Sequence, residues 1–312
     1  MVLLARIVFT TAVVLAVAWA VVHEWSAVQT YLRTLSWPTV VLALVMVVVG
    51  LGTSSLGWRA GARYTGHQVP VHSAAQIYIV GLMAKYLPGS VWAFVLQMEL
   101  GKRAKLPRSA GFLASVVVAG LGATVAMILG LLAVPALLSD NIGLGVAALV
   151  LVPISLVAAY PPVLTWILRR LVALAGRRVE IPAVTWRAEL PIVGWSLVTW
   201  LVFGLHLWLL ANSVGTPGVG GFILCVGAVA LGQTIGVLAF LTPSGMGVRE
   251  AVIVAALAPY TSAGTALGIA LASRLLFTIG DVIAAAAAAL GASTVPRLQA
   301  RGTPNPAPEL PE

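Results

Sequence analysis

Charge is scarce in this chain of 312 residues: Asp, Glu, Lys and Arg together make up 9% of it. A soluble domain carries roughly 25%. That deficit excludes an ordinary soluble protein. With 60% hydrophobic residues and a mean hydropathy of +1.04, the composition is that of a polytopic membrane protein. Acids are scarcer than bases, 9 against 18, for a net charge of +9. No basic run is interleaved with stacking aromatics, so no nucleic-acid partner is expected. The bases read instead as markers of cytoplasmic loops. Cysteine occurs once, at Cys225, which excludes an intrachain disulfide. The histidines, His23, His67, His72 and His206, show no ligand spacing, and there is no HExxH motif, so no metal is expected. No nucleotide-binding loop is present, so neither direct ATP coupling nor a cofactor is expected.

What is abundant is apolar sequence in long runs. A helix needs about 20 apolar residues to cross a bilayer. Runs at residues 7–22, 40–56, 110–134, 142–159, 190–211 and 263–290 predict about six full spans. The first run imitates a signal peptide, with Arg6 before it and Ala18-Trp19-Ala20 near its end. Its length favours a retained helix. Two more apolar regions are interrupted: residues 74–100 at Pro88-Gly89, and residues 222–257 from Pro243 to Gly247. Proline removes a helix donor and clashes with the preceding turn, and glycine loosens the backbone. Each region reads as two half-length helices. Irregular backbone at membrane depth survives only where protein or a water-filled cavity satisfies it.

Charge sidedness selects between crossing and re-entry. If both broken regions return to their own side and the N-terminus is inside, the cytoplasmic segments hold 14 of the 18 bases. These are Arg6, Arg59, Arg63, Lys102, Arg103, Lys105, Arg108, Arg169, Arg170, Arg177, Arg178, Arg187, Arg297 and Arg301. Outside there is only Arg33. This asymmetry is what the positive-inside rule asks for. The expected fold is therefore all-α and polytopic, with two re-entrant helical hairpins in an inverted repeat. One transmembrane domain is expected over residues 1–295, with repeats at about 37–135 and 190–290 and a connector at 136–189. Residues 165–175 read as an interfacial helix. The Pro-rich residues 296–312 read as a disordered cytoplasmic tail. Tryptophans near span ends, among them Trp19, Trp25, Trp37, Trp58 and Trp195, read as an aromatic belt.

The charges at expected membrane depth are Lys85, Glu99, Arg249, Glu250, Arg274 and Asp281. Intramembrane charge is a functional-site candidate by default. Arg274 and Asp281 are seven apart and share a helix face. Two readings stand. Mutual pairing, Arg274 with Glu250 and Arg249 with Asp281, would make a self-satisfied knot. Alternatively, Lys85, Arg249 and Arg274 join the N-termini of half-helices after each break in an anion site for a lipid phosphate. Gln76, Gln97, His206 and Gln233 are candidates to line a path. A Ser244–His206 dyad is the best case for an intramembrane hydrolase, but no oxyanion donor can be named for it.

The segment Lys85-Tyr86-Leu87-Pro88-Gly89-Ser90-Val91-Trp92 resembles a K/R-Y-[LI]-P-G-x-[VI]-W motif. Thr242-Pro243-Ser244-Gly245-Met246-Gly247-Val248-Arg249-Glu250 resembles a P-x-G-[LM]-G-x-R-E motif. With the later Arg274 and Asp281, they make the chain similar to the flippase-like membrane domain family of lysylphosphatidylglycerol synthases. The resemblance implies lipid translocation in the cytoplasmic membrane, by a non-enzymatic domain whose partners are membrane lipids of anionic, amino-modified or polyprenyl-phosphate type. It places Lys85, Tyr86, Pro88, Gly89, Trp92, Pro243, Ser244, Gly245, Gly247, Arg249, Glu250, Arg274 and Asp281 at the substrate site. Two-domain members carry a soluble aminoacyltransferase domain after this region. None follows here, so aminoacyl transfer is not expected, and a separate lipid-modifying enzyme is a candidate partner. The alternative is a membrane subunit that binds lipids and presents them to an envelope-building enzyme.

Overall fold

The computed structural model describes residues 22–86, 92–140, 142–174, 183–214, 218–238 and 247–302. The expected first span at residues 7–22 and the tips of both broken regions lie outside the described residues. So does Arg177-Arg178.

The described chain is helical, without strands. Its helices are α1 (Trp25–Thr34), α2 (Trp37–Tyr64), α3 (Val71–Ala75), α4 (Trp92–Arg103), α5 (Arg108–Gly130), α6 (Val134–Asp140), α7 (Ile142–Ala159), α8 (Pro161–Leu174), α9 (Trp186–Asn212), α10 (Gly218–Leu238), α11 (Val248–Leu257) and α12 (Ala263–Gly302). Helix α3 continues through a π-helical turn, Gln76–Val80, to a 3-10 turn, Met83–Tyr86. A 3-10 turn, Leu131–Ala133, joins α5 to α6.

Five stretches are long and apolar enough to span a bilayer: Trp37–Tyr64, Arg108–Ser139, Trp186–Asn212, Gly218–Val237 and Ala263–Gly291. The α7–α8 pair adds a sixth if counted as one span, bent by 82°. The protein is an all-α polytopic membrane protein.

Local signals start these helices where they start. Ser36 accepts from the backbone N–H of Thr39 at 3.4 Å, with Pro38 in the first turn of α2. Ser262 accepts from the N–H of Thr265 at 3.2 Å ahead of α12. Helix α2 stops at Gly66, which takes φ +82°, the left-handed conformation that glycine adopts at no steric cost.

Packing then sorts the helix ends. The start of α12 meets α1, with Gly264 against Glu24 and Ala27 and Gly268 against Tyr31. The Tyr31 hydroxyl donates to Leu210 O near the end of α9 at 3.3 Å. At the opposite end, Trp58 Nε1 of α2 donates to Ser115 Oγ of α5 at 2.9 Å. There Ala60, Leu113, Val117, Leu164, Leu168 and Ile192 form one buried cluster. This second end gathers Arg59, Arg63, Lys102, Arg103, Lys105, Arg108, Arg169, Arg170 and Arg187. Among the described cations, the first end holds Arg33.

Four expectations need correction. The second broken region is not two half-helices: α10 has 21 residues, about 31 Å at 1.5 Å per residue, and only α11, with 10, is short. The interfacial helix begins at Pro161, and its Leu164 and Leu168 pack into protein. The external loop before α2 contains α1, whose Val28 and Tyr31 are buried. Trp58 is fully buried rather than part of a belt. Helix α12 extends to Gly302, and residues 303–312 of the expected tail lie outside the described residues.

Helices in lipid associate by close packing, so small residues sit at their crossings. A Cβ at Gly204 would fall 2.7 Å from Val226 Cα, and one at Gly227 would fall 2.7 Å from Ala133 N. Neither neighbour is a side-chain tip that can swing away. Gly204→Ala and Gly227→Ala should each destabilise the detergent-solubilised protein by about 1–3 kcal/mol. Gly52→Ala, with nothing within 4 Å of its Cβ, should leave the thermal midpoint unchanged. A fluorescence melting series on the three variants reads the difference.

Candidate functional site

Helix α12 presents Ser273, Phe277 and Asp281 at i, i+4 and i+8, hence on one face, with Arg274 at its border. Both broken regions converge on that face. From the first, Lys85 Nζ lies 2.6 Å from Asp281 Oδ2, and the Tyr86 hydroxyl donates to the same oxygen at 2.6 Å. From the second, Glu250 Oε1 accepts from Arg274 Nη1 at 2.7 Å. Its other oxygen, Oε2, accepts the backbone N–H of Gly247 at 2.7 Å. Gly247 takes φ +84°, so the chain turns sharply into α11. The positive N-terminal end of α11 is thus occupied by a carboxylate of its own first turn.

Arg249 is placed differently. Its Nη2 donates to Ser273 Oγ at 2.9 Å, and its Cζ stacks 4.3 Å from the centre of the Phe277 ring. Its Nε is buried without a hydrogen-bond partner among the described residues. Ser273 Oγ is also 3.0 Å from His206 Nε2, and His206 Nδ1 is 2.6 Å from Phe203 O. A carbonyl only accepts, so Nδ1 carries the proton and Nε2 takes the Ser273 hydroxyl. The chain of donors runs from Arg249 to Ser273 to a neutral His206.

The cluster sits midway through the bundle. Phe203 packs on Gly50, at the centre of the 28-residue α2. The Phe203 and Phe277 rings are 4.9 Å apart, and Arg249 stacks on Phe277 in turn. Arg249, Glu250 and Asp281 are 5%, 4% and 2% exposed, whereas the side chains of Lys85 and Arg274 are 27% and 25% exposed.

A cavity of about 290 Å³ adjoins the cluster, with Lys85 and Phe277 in its wall. It extends toward the basic end past Gln97 and Ser115, between the first broken region, α2, α5, α9 and α10. Gln233 lines it as well.

Sequence reasoning thus located most of the residues and mispaired some. Arg274 does meet Glu250. Asp281 takes Lys85 and Tyr86 rather than Arg249, because α3 and its continuation bring the Lys85–Tyr86 step against α12. Glu99 is not at membrane depth. It is exposed at the basic end, bonded to Arg108 at 2.7 Å and Lys102 at 3.0 Å, and these cations hold its carboxyl below the usual range. His206 is fully buried and engaged with Ser273; it and Gln76 stay out of the cavity wall, and Ser244 lies outside the described residues. Trp92 opens α4 and is exposed. Gly247 and Glu250 are in place, while Pro88, Gly89, Pro243, Ser244 and Gly245 lie outside the described residues. Ser273 and Phe277 were missed. The i, i+4, i+8 spacing with Asp281 was the signal that could have found them.

Removing one member of a buried pair strands the other's charge, whereas removing both together does not. Lys85→Met should therefore lower the thermal midpoint more than Asp281→Asn, since it strands the buried Asp281 carboxylate, whereas a stranded Lys85 still reaches the cavity. The double variant Lys85→Met/Asp281→Leu should recover part of the loss. Melting curves of the three proteins in one detergent check the order.

No curated protein is similar enough to the chain to count as a match. Residues 3–285 match the family model described as the lysylphosphatidylglycerol synthase TM region. That match covers nearly the whole chain and contains every residue of the α12 cluster: this protein belongs to the family of lysylphosphatidylglycerol synthase transmembrane regions.

Proposed function

We propose that the protein is a lipid flippase or lipid-headgroup transporter of the cytoplasmic membrane. Its site is the cluster on α12 with the adjoining cavity, and its cargo carries an anionic headgroup. The observation that carries this reading is a charge imbalance at mid-depth. Lys85, Arg249 and Arg274 face only Glu250 and Asp281 among the described residues. A knot serving structure alone would have no reason to bury a third cation beside two satisfied pairs. Arg249 stacks on Phe277 with its buried Nε donor unspent among the described residues, which suits a ligand that brings the missing negative charge.

The orientation follows from the positive-inside rule. With the basic end cytoplasmic, the first broken region enters from the cytoplasm, since α3 and α4 both have their outer ends there. The second enters from outside, since Trp208 Nε1 bonds Gly218 O at the start of α10 at 3.1 Å and α11 ends beside the start of α12. Broken helices meeting at mid-depth from opposite faces are a recurrent transporter plan built on inverted repeats. Rocking of one unit against the other would expose the site to alternate sides. Family membership supports a membrane-lipid role of this kind.

Arg249→Gln removes the unpaired cation and leaves both salt bridges standing. In proteoliposomes containing fluorescent phosphatidylglycerol, its initial rate of translocation should fall at least about tenfold, the loss of one charge-assisted hydrogen bond. Its gel-filtration profile should be unchanged. A variant as fast as the parent would refute the anion site. Orientation has a separate test. In a background where the buried Cys225 is Ser, cysteines at positions 103 and 33 should react with impermeant maleimide from the cytoplasm and from outside, respectively.

A further inference from the structure

At the basic end the chain leaves α7 through a bend of 82°. The cause is Pro161-Pro162. Pro161 has no N–H to continue α7, and its fixed φ suits the first position of a new helix. The N–H of Leu164 bonds Tyr160 O at 2.8 Å and closes the first turn of α8. Because α7 returns the chain across the bilayer, α8 lies close to the membrane plane, at the level of the headgroups.

One face of α8 packs on the protein. Pro161, Leu164, Thr165 and Leu168 are buried, at i, i+3, i+4 and i+7. Thr165 Oγ1 donates to Pro161 O at 2.7 Å and accepts the N–H of Val184 at 3.1 Å, which ties the approach to α9 onto the helix. The opposite face is a stripe of Pro162, Trp166, Arg169, Arg170 and Ala173, all exposed. Arg170 Cζ lies 5.6 Å from the centre of the Trp166 ring. A guanidinium laid on a ring uses its flat side and keeps its N–H edge free for a phosphate. Neither arginine is paired with a carboxylate among the described residues. Beside the start of the stripe, the exposed rings of Tyr160 and Trp186 are 6.2 Å apart.

Two observations say what covers this face. Exposed tryptophan at this depth belongs among lipid headgroups, and cations without a counter-charge call for an anion. Size argues against a protein. Helix α8 has 14 residues, about 21 Å of length and roughly 10 Å of width. Its outer face therefore offers roughly 200 Å², against about 800 Å² on each side of a stable protein interface. One phospholipid fits that area.

We propose that the outer face of α8 binds an anionic phospholipid of the surrounding leaflet. Arg169 and Arg170 hold its phosphate, and Trp166 packs on its glycerol region. The site is separate from the α12 cluster and stands whether or not the protein transports lipid.

The test reads lipid neighbours locally. In a Cys225→Ser background, a fluorophore on Ala173→Cys reports on the stripe of the full-length protein. Nanodiscs of phosphatidylcholine carry either nitroxide-labelled phosphatidylglycerol or nitroxide-labelled phosphatidylcholine as quencher. Phosphatidylglycerol should associate at least about fivefold better, the gain expected of one arginine at an anionic headgroup. Arg169→Gln/Arg170→Gln should bring that ratio to about one, and Trp166→Ala should lower it in part. Raising the salt to about 1 M should shrink the ratio in the parent, a measurement that needs no variant. A fluorophore on Val219→Cys, exposed at the start of α10, should show no preference. Equal quenching by both lipids at position 173 would overturn the site and leave the face to an acidic protein partner. An undiminished preference in the double arginine variant, or a like preference at position 219, would overturn it too. Arg249→Gln should keep the preference at position 173, so a failure of the transport reading cannot be mistaken for a failure of this site.

Discussion

Asp281 accepts both the Lys85 ammonium and the Tyr86 hydroxyl, each at 2.6 Å, on a single carboxylate oxygen. It sits at 2% exposure in the middle of a bundle built for lipid. A carboxylate there is tolerable only if protein supplies its counter-charge. That requirement ties the first broken region to α12. The Arg274–Glu250 pair ties the second to the same helix. Helix α12 is thus the common floor on which two otherwise separate irregular segments are docked. The irregularity and the charge explain each other: backbone that leaves a regular helix in a membrane must face protein or water, and buried ions and a polar cavity create such a place.

The cluster carries one more cation than anion, and its geometry assigns the excess. Lys85, Arg274, Glu250 and Asp281 are satisfied as two pairs. Arg249 is held by weaker means, the π face of Phe277 and the oxygen of Ser273, whose own proton goes to His206. A guanidinium held by neutral partners is the feature on which the proposed anion site rests. The adjoining cavity sets Lys85 beside neutral polar groups of α2, α9 and α10, among them Ser54, Ser196 and Gln233.

Much of the fold was legible in the sequence because hydropathy, proline and glycine act over a few residues. The long apolar runs became α2, α5, α7, α9 and α12. The error in the second broken region has a physical cause. The stretch from Phe222 to the break at Pro243 is long enough to cross by itself, about 20 residues, and α10 begins earlier still, at Gly218. Helix α1 was overlooked because ten amphipathic residues with Arg33 at their end resemble an external loop until Tyr31 finds α12. Glu99 was misplaced because hydropathy could not register that α4 returns to the basic end, where Arg108 waits.

By itself the sequence determined the class of protein, the approximate extent of several of its helices, and which rare charges needed explaining. Composition and periodicity dictate those through local transfer free energies. Tertiary structure alone decided who pairs with whom. Tyr86 and Asp281 are 195 residues apart, and whether Lys85 or Arg249 reaches that carboxylate depends on ångström placement of helices, to which no local pattern is sensitive. The same holds for Ser273 and Phe277, an ordinary serine and phenylalanine in an apolar helix until Arg249 is laid against them.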